Sequence, residues 1–446
     1  MTTQRQLYTH TLFLGSHLSE EAKQRIENDI EVVEAHHADF PDEAGKKIKA
    51  GQLEIILGKP VAKGGMAVVH EAEANFTCGT EECDDDVPAR CAAKRSFFPE
   101  NQPEYEAALN KEAKLNFRIQ HPNVVKPIYF GHHDDGYVLL MPFIDTDLQQ
   151  VIDGHGRVTM PDKIAAYIIY MVVRTLQDLY DNQGIVHRDI SPNNVLIDPK
   201  KGFIYLADFG VAKEKGQKQV IAAGKPPFMP PEAFITPELV DHRSDFYALG
   251  VLARIMKTGL GRNDLIKIPD SAKNNYLLFE TMEMAKTPAR PLTEIIDDVD
   301  LRFSDIVQRL DDPNPAERYG THEELIDDLE AYLHEGQGPT PKSLAAYISL
   351  LNMTETEINE MDQDRLMRRL AKLSFLPRGP VYEQPTRWQR FLDWTGIRKI
   401  EEKEGLPIPF RPIRFKTPAK RVYLRGHNPF MTKFRGPESQ RITYTP

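Results

Sequence analysis

Residues 185–196, reading I-V-H-R-D-I-S-P-N-N-V-L, constrain this chain more than any other stretch. Asp189 is a candidate acceptor for a hydroxyl proton, and Asn194, five residues on, is a candidate metal-ligating amide. The apolar pairs at the two ends, Ile185–Val186 and Val195-Leu196, predict short strands that anchor the loop between them. Such a loop can aim both polar side chains at one point.

A chain of 446 residues is long enough for two or three domains and a sizeable core. Its longest nearly unbroken apolar run, residues 164–173, is too short to cross a bilayer and reads as a buried helix. The first residues lack the charged-then-apolar pattern of a secretory signal. Three cysteines, Cys78, Cys83 and Cys91, cannot build a disulfide framework and fit a reducing compartment. These features predict a cytoplasmic protein with no membrane partner. The charge is uneven. From residue 336 on there are 20 Lys and Arg against 11 Asp and Glu, so the tail carries +9; with the whole chain at −10, the first 335 residues carry −19. A basic tail of this kind is expected to lie on its own acidic body or on an acidic partner.

Taken in order, residues 1–52 are mostly polar, and Ser19-Glu20-Glu21 followed by Ile26, Ile30 and Val33 predicts a capped helix within an N-terminal extension. Residues 52–74 read as two strands around a glycine turn containing Gly64 and Gly65, where backbone N–H groups can approach an anion with no Cβ in the way. Residues 75–88, with Cys78, Cys83 and three consecutive aspartates, predict a solvated hairpin insertion rather than a zinc site, because no partnering Cys/His pair is near. The strand R-C-A-A-K-R at 90–95 ends in Lys94 and its neighbour, residues 104–119 are helical in pattern and carry Glu112, and residues 137–144 run as a strand into Met141-Pro142-Phe143-Ile144. A long amphipathic helix over 162–182 leads into the central loop, and Leu206-Ala207-Asp208-Phe209-Gly210 follows as strand and turn. Beyond residue 335, helices are expected at 341–352 and 354–373, the second opened by a Thr354/Glu357 capping box. Trp388, Phe391 and Trp394 then stand at helical spacing, as packed core residues do, before an extended basic arm, P-I-P-F-R-P-I-R-F. Basic and aromatic residues together can meet nucleic acid; an arm laid over the acidic body is the preferred reading, and nucleic acid is not an expected partner.

His187-Arg188-Asp189 with Asn194, preceded by Lys94 and Glu112 and followed by Asp208-Phe209-Gly210, resembles the eukaryotic-like protein kinases in their bacterial Ser/Thr form. Further along, Met229-Pro230-Pro231-Glu232 departs by one residue from the A-P-E ending of the activation segment. Asp245 stands where the family has a buried aspartate bonding the catalytic-loop backbone, and Arg318 where it has the arginine that pairs with Glu232. The resemblance covers residues 53–335. It implies an α+β, bilobal kinase fold, with a small β-rich N-lobe over 53–141 and a mainly helical C-lobe over 145–335, flanked by the extension 1–52 and the segment 336–446. It implies ATP and Mg2+ as cofactors and proteins bearing Ser or Thr hydroxyls as substrates. Lys94, held by Glu112, would bind phosphates; Asn194 and Asp208 would ligate magnesium; Asp189 would orient the hydroxyl and take its proton late. Ala62, Gly64, Gly65, Val69, Ala92, Met141, Phe143 and Leu196 would line the nucleotide pocket, although only Gly64 and Val69 match the glycine-rich loop pattern, and Ala62 and Ala67 stand where two of its glycines would be. His187 is expected to pack beneath Asp208-Phe209 rather than act as a base.

Three departures qualify this resemblance. Ser191 stands two residues after Asp189, where Ser/Thr kinases carry a lysine, and Lys225 stands in A-G-K-P-P-F where they carry a threonine against the catalytic aspartate. Lys225 is therefore expected to replace the missing lysine. Residues 211–230 contain no Ser, Thr or Tyr, so activation by phosphorylation within that stretch is unavailable, and Arg188 is expected to find a carboxylate, with Glu214 nearest in sequence. An ATP-binding scaffold without catalysis and a small-molecule phosphotransferase are the alternatives.

Overall fold

A computed structural model of the chain describes residues 43–50, 53–63, 67–76, 90–96, 103–133, 136–154, 158–216, 224–259, 285–297, 299–333, 338–352 and 411–412. The predicted N-terminal helix, the glycine turn with Gly64 and Gly65, the cysteine-bearing part of the insertion, the second tail helix and the Trp388/Phe391/Trp394 set lie outside these residues.

Period-2 burial builds the N-terminal lobe. Strands β1 (Lys47–Ala50), β2 (Leu53–Lys63), β3 (Ala67–Phe76), β4 (Arg90–Ser96), β5 (Tyr129–His133) and β6 (Gly136–Pro142) form one antiparallel sheet in the order β1-β2-β3-β4-β6-β5. Residues opposite each other share a face. Ala72 pairs with Cys91, and Ala93 with Leu140; with Leu53, Ile55 and Leu57 they form one apolar layer. The other face carries Val69 opposite Lys94, Ala62 opposite Val69, and Ala92 opposite Met141. Helix α1 (Pro103–Arg118) packs there through Leu109 and Ala113 on Leu139. This second face is the roof of the cleft.

The sheet starts before residue 53. Lys47–Ala50, read from sequence as part of the N-terminal extension, pairs in register with Leu53 to Ile56. Only Ile48 of K-I-K-A is buried, so the segment carries too little alternation to announce itself. Glu43, just ahead of it, is hydrogen-bonded to the guanidinium of the buried Arg95 and to Lys46 at 2.8 Å.

The C-terminal lobe is assembled on α3 (Asp162–Gln183), which follows β7 (Thr146–Asp147), α2 (Leu148–Gly154) and β8 (Val158–Thr159). Ile164, Ile168, Val172, Leu176 and Leu179 along α3 are buried at 0–1 % exposure, so the helix runs through the lobe rather than over it. After Gly184 come β9 (Ile185–Val186), β10 (Val195–Ile197), β11 (Ile204–Leu206) and β12 (Lys213–Glu214), with β11-β10-β7 and β12-β9 as two small sheets. The central loop thus runs from β9 to β10. Helices α4 (Pro231–Ile235), α5 (Arg243–Thr258), α6 (Leu292–Ile295), α7 (Leu301–Leu310) and α8 (His322–Leu333) complete the lobe.

The core does not end at residue 335. Helix α9 (Pro341–Leu351) buries Leu344, Tyr347 and Ile348 in the same apolar cluster as α3 and α5. Its first turn crosses the β10–β11 turn so closely that a Cβ on Gly202 (φ +72°) would stand 1.8 Å from the carbonyl oxygen of Pro341. Farther on, Arg411–Pro412 forms β13, paired antiparallel to β8. No helix among the described residues is long and apolar enough to cross a membrane.

Candidate active site

Lys94 projects from β4 into the cleft. Its Nζ donates to both carboxylate oxygens of Glu112 on α1, at 2.7 and 2.9 Å, and to Asp208 Oδ1 at 3.2 Å. Burial works against the Lys94 charge, but Asp208 and Glu112 outweigh it and hold its pKa above the usual lysine range. For Glu112, burial is the larger influence and pushes its carboxyl up, with Lys94 pulling the other way. Asp208 lies just past β11 at φ +66°, a left-handed conformation that non-glycine residues adopt at a cost. Burial opposes its ionisation, yet Lys94 and then Lys225 prevail and bring its pKa down to about 2. It is a carboxylate at any physiological pH.

The loop between β9 and β10 is held from beneath. Asp245, at the start of α5, is 1 % exposed and accepts from the backbone N–H of His187 (2.9 Å) and of Arg188 (2.7 Å). Arg188 has φ +67°, and these two bonds support the strained turn. His187 is fully buried, burial depresses its pKa, and its ring packs against Phe209 at 4.6 Å between centroids. It is a structural histidine. Phe209 itself is 2 % exposed, so the Asp208-Phe209-Gly210 turn has its aromatic inward and its carboxylate toward Lys94.

Asp189 is buried at 8 % exposure and is surrounded by donors. Asn194 Nδ2 donates to its Oδ2 and to its backbone oxygen, both at 2.7 Å. The backbone N–H of Lys225 donates to Oδ1 at 3.1 Å, and Lys225 Nζ lies 3.2 Å from Oδ2. Burial pushes the Asp189 pKa up while Lys225 opposes it. Lys225 is delivered by close contact: a Cβ on Gly224 (φ +127°) would meet the carbonyl oxygen of Arg188 at 2.7 Å.

Of the residues expected to line a nucleotide pocket, Ala62, Val69, Ala92 and Met141 share the cleft face of the sheet with Lys94. Leu196, on β10, is partly exposed. Phe143 stands apart: its N–H is used by the Arg90 carbonyl at 3.3 Å, and its ring lies 4.1 Å beneath the Arg90 guanidinium. Arg90 also bonds Glu71 on β3 and Asp145 beyond the connection. It is a clasp across the segment joining the lobes that sequence reading missed, because nothing local marks an arginine that opens a strand. Glu214, the expected partner of Arg188, is hydrogen-bonded to Arg118 at the end of α1. Farther out, Arg318 Nη1 and Nη2 grip Glu232 at 2.6 and 3.0 Å.

Comparison with known proteins gives the family. The sequence profile described as "Protein kinase domain" matches residues 78–328. The chain is 31 % identical over 247 residues to the serine/threonine-protein kinase pkn3 of Myxococcus xanthus, covering 50 % of this chain and 42 % of that protein. It is 27 % identical over 292 residues to the serine/threonine-protein kinase PrkC of Bacillus subtilis (64 % and 41 %). It is 26 % identical over 305 residues to the tyrosine-protein kinase MasK of Myxococcus xanthus (64 % and 44 %). The matched region thus spans about two fifths of the length of these relatives. A profile match over more than half of the sequence, centred on the lobes that hold Lys94, Asp189 and Asp208, makes the chain a member of the protein kinase domain family.

Proposed function

We propose that this chain transfers the γ-phosphoryl group of Mg-ATP to Ser or Thr hydroxyls of protein substrates, and that it does so without phosphorylation of its activation segment. The observation that carries the reading is the joined set Lys94–Glu112–Asp208, with Asp189 aimed from the facing loop. When bound, Mg-ATP would supply the transferable phosphoryl group and a metal charge to screen it. The residues present fit that pair. Asp208 keeps an ionised carboxylate, 42 % exposed, that a hard cation can use. Lys94 offers a fixed ammonium for phosphate oxygens. Asn194, the other expected metal ligand, presents its Oδ1 to Lys225 Nζ at 3.1 Å.

Catalysis by such a site is positioning and charge stabilisation. Asp189 would accept a hydrogen bond from the substrate hydroxyl, orient its oxygen, and take the proton as the new bond forms. Lys225 would offset the charge that gathers beside Asp189, the task of the lysine this chain lacks at Ser191.

Independence from activation-segment phosphorylation is supported by how the start of the segment is pinned. β12 pairs with β9, and Lys213 Nζ donates to the carbonyls of Glu238 (3.2 Å) and Val240 (3.1 Å). Arg118 ties Glu214 to α1, and residues 211–230 hold no hydroxyl side chain. The proposal that the basic tail packs on the acidic body is supported by the pairing of Arg411–Pro412 with β8.

Incubation with Mg-ATP and a generic protein substrate, followed by phosphoamino-acid analysis, tests the reading. Phosphoserine and phosphothreonine are expected, from phosphatase-treated protein at an undiminished rate. Asp189→Asn and Lys94→Met should each lower transfer by about 10²–10⁴ while the variants still fold cooperatively. Phosphotyrosine alone would overturn the Ser/Thr assignment, and nucleotide binding without transfer would leave a scaffold.

A further inference from the structure

Lys225 Nζ lies 2.8 Å from Ser191 Oγ, 3.1 Å from Asn194 Oδ1 and 3.2 Å from Asp189 Oδ2. Three oxygens from one loop therefore converge on a cation that the protein itself supplies. The amide of Asn194 cannot turn away from it. Its Nδ2 donates to two oxygens of Asp189 at 2.7 Å each; flipped, its oxygen would face those acceptors and its NH2 the ammonium. Asn194 Oδ1 is thus committed to Lys225.

Nor is Lys225 a solvated lysine on a loose loop. Its side chain is 22 % exposed, its backbone N–H is bonded to Asp189, and it is flanked by the tightly packed Gly224 and by Pro226 and Pro227. Ser191 is fully buried and Asn194 is 5 % exposed, so little water is available to screen charges there. A hard divalent ion bonded to Asn194 Oδ1 would sit about 2 Å from that oxygen. It would then lie within about 5 Å of the ammonium in a poorly screened site. Asp208 is different: its hydrogen bonds from Lys94 Nζ (3.2 Å) and Gly210 N–H (3.3 Å) both use Oδ1, and the carboxylate opens to the cleft.

We propose that Lys225 takes the place of a second divalent cation: the nucleotide-bound site holds one metal, on Asp208, and the ammonium of Lys225 supplies the positive charge at Asn194. The proposal rests on the kinase reading above and refines the expectation that both Asn194 and Asp208 ligate metal. It also gives a reason for the paired departures at Ser191 and Lys225. A lysine reaching from position 225 must settle on the oxygens of the loop, and a small serine at 191 leaves room and a hydroxyl to receive it.

The test counts metal ions as well as turnovers. The full chain is titrated with Mn2+ in saturating β,γ-imido-ATP, and unbound Mn2+ is followed by electron paramagnetic resonance. One Mn2+ per chain is expected for the wild type, and two for Lys225→Thr and Lys225→Met. In assays with ATP, Mg2+ beyond that needed to saturate the nucleotide should leave the wild-type rate unchanged and raise the rate of both variants. Two Mn2+ bound by the wild type would overturn the proposal alone, and that count needs no variant. Variants that melt as cooperatively as the wild type yet bind a single Mn2+ would overturn it too. No nucleotide-dependent Mn2+ binding at all would remove the kinase reading together with this one.

Discussion

Asp189 and Lys225 face each other at 3.2 Å, with side chains 11 % and 22 % exposed. At an effective dielectric near 20, unit charges at that distance attract by about 5 kcal/mol before desolvation is subtracted. Lys225→Ala should therefore lower the transfer rate by about 10²–10³ with nucleotide affinity nearly unchanged, measured as kcat against the nucleotide Kd. Because the lysine at 225 and the serine at 191 are coupled, Lys225→Thr combined with Ser191→Lys should recover activity that Lys225→Thr alone loses. Near wild-type turnover in the single Thr variant, at Mg2+ just sufficient to saturate the nucleotide, would show that the ammonium is idle. Arg90 clasps the connection between the lobes. It reaches Glu71, Asp145 and the Phe143 ring together, but as an exposed residue it is expected to affect domain closure more than stability.

Between elements, the strongest ties are buried ion pairs and rings. Arg254 on α5 and Asp311 after α7 are both fully buried and joined at 2.6 and 3.0 Å, with further bonds from Arg254 to the Arg290 carbonyl and Gln308. Asp311→Ala leaves a guanidinium buried without its carboxylate and should cost about 3–5 kcal/mol in denaturant titration. A wild-type midpoint in that variant would refute this account of the α5–α7 contact. Where α3, α5 and α8 meet, His322 packs with His242 at 4.9 Å and with Tyr180 and Phe246 around them. Burial and then the neighbouring His242 lower the His322 pKa to about 3. The unfolded chain, with an ordinary histidine value near 6.5, binds a proton that the folded state refuses between these limits. Stability contributed here is thus complete above about pH 6.5 and lost as pH falls toward about 3, by up to about 5 kcal/mol. His322→Phe should flatten that part of the stability–pH curve; an unchanged acid limb would exclude His322 as its source.

The folded body extends past residue 335. α9 places Leu344, Tyr347 and Ile348 in the C-lobe core at 0–1 % exposure. Each such side chain is worth about 1.5–3 kcal/mol when buried. A chain ended at residue 335 should therefore lose on the order of 5 kcal/mol and melt well below the full chain, whereas one ended at residue 352 keeps these contacts. Equal melting temperatures for the two truncations would show that α9 is an accessory. The sequence beyond carries the positive charge, and the proposed packing of this tail on the acidic body should weaken as salt shortens the screening length to about 8 Å near 0.15 M.

The family, the order of the chemical groups and the α+β kinase fold were legible in the sequence alone. Lys94, Glu112, Asp189, Asn194 and Asp208 sit in spacings that local strands and turns impose, and short-range spacing is what a sequence displays. It also pointed to Asp245 as support for the loop and to Glu232–Arg318 as a pair, through motif positions alone. Other features depend on contacts between residues far apart in the chain. That Ile48 begins the sheet, that Glu43 answers a buried Arg95, that Glu214 bonds Arg118, and that α9 completes the C-lobe were decided by tertiary packing. The same holds for the three oxygens around Lys225. Sequence could note a lysine lost at one place and one present 34 positions later; only the fold, by pressing Gly224 against the backbone of Arg188, brings that ammonium to Asp189, Ser191 and Asn194 at once.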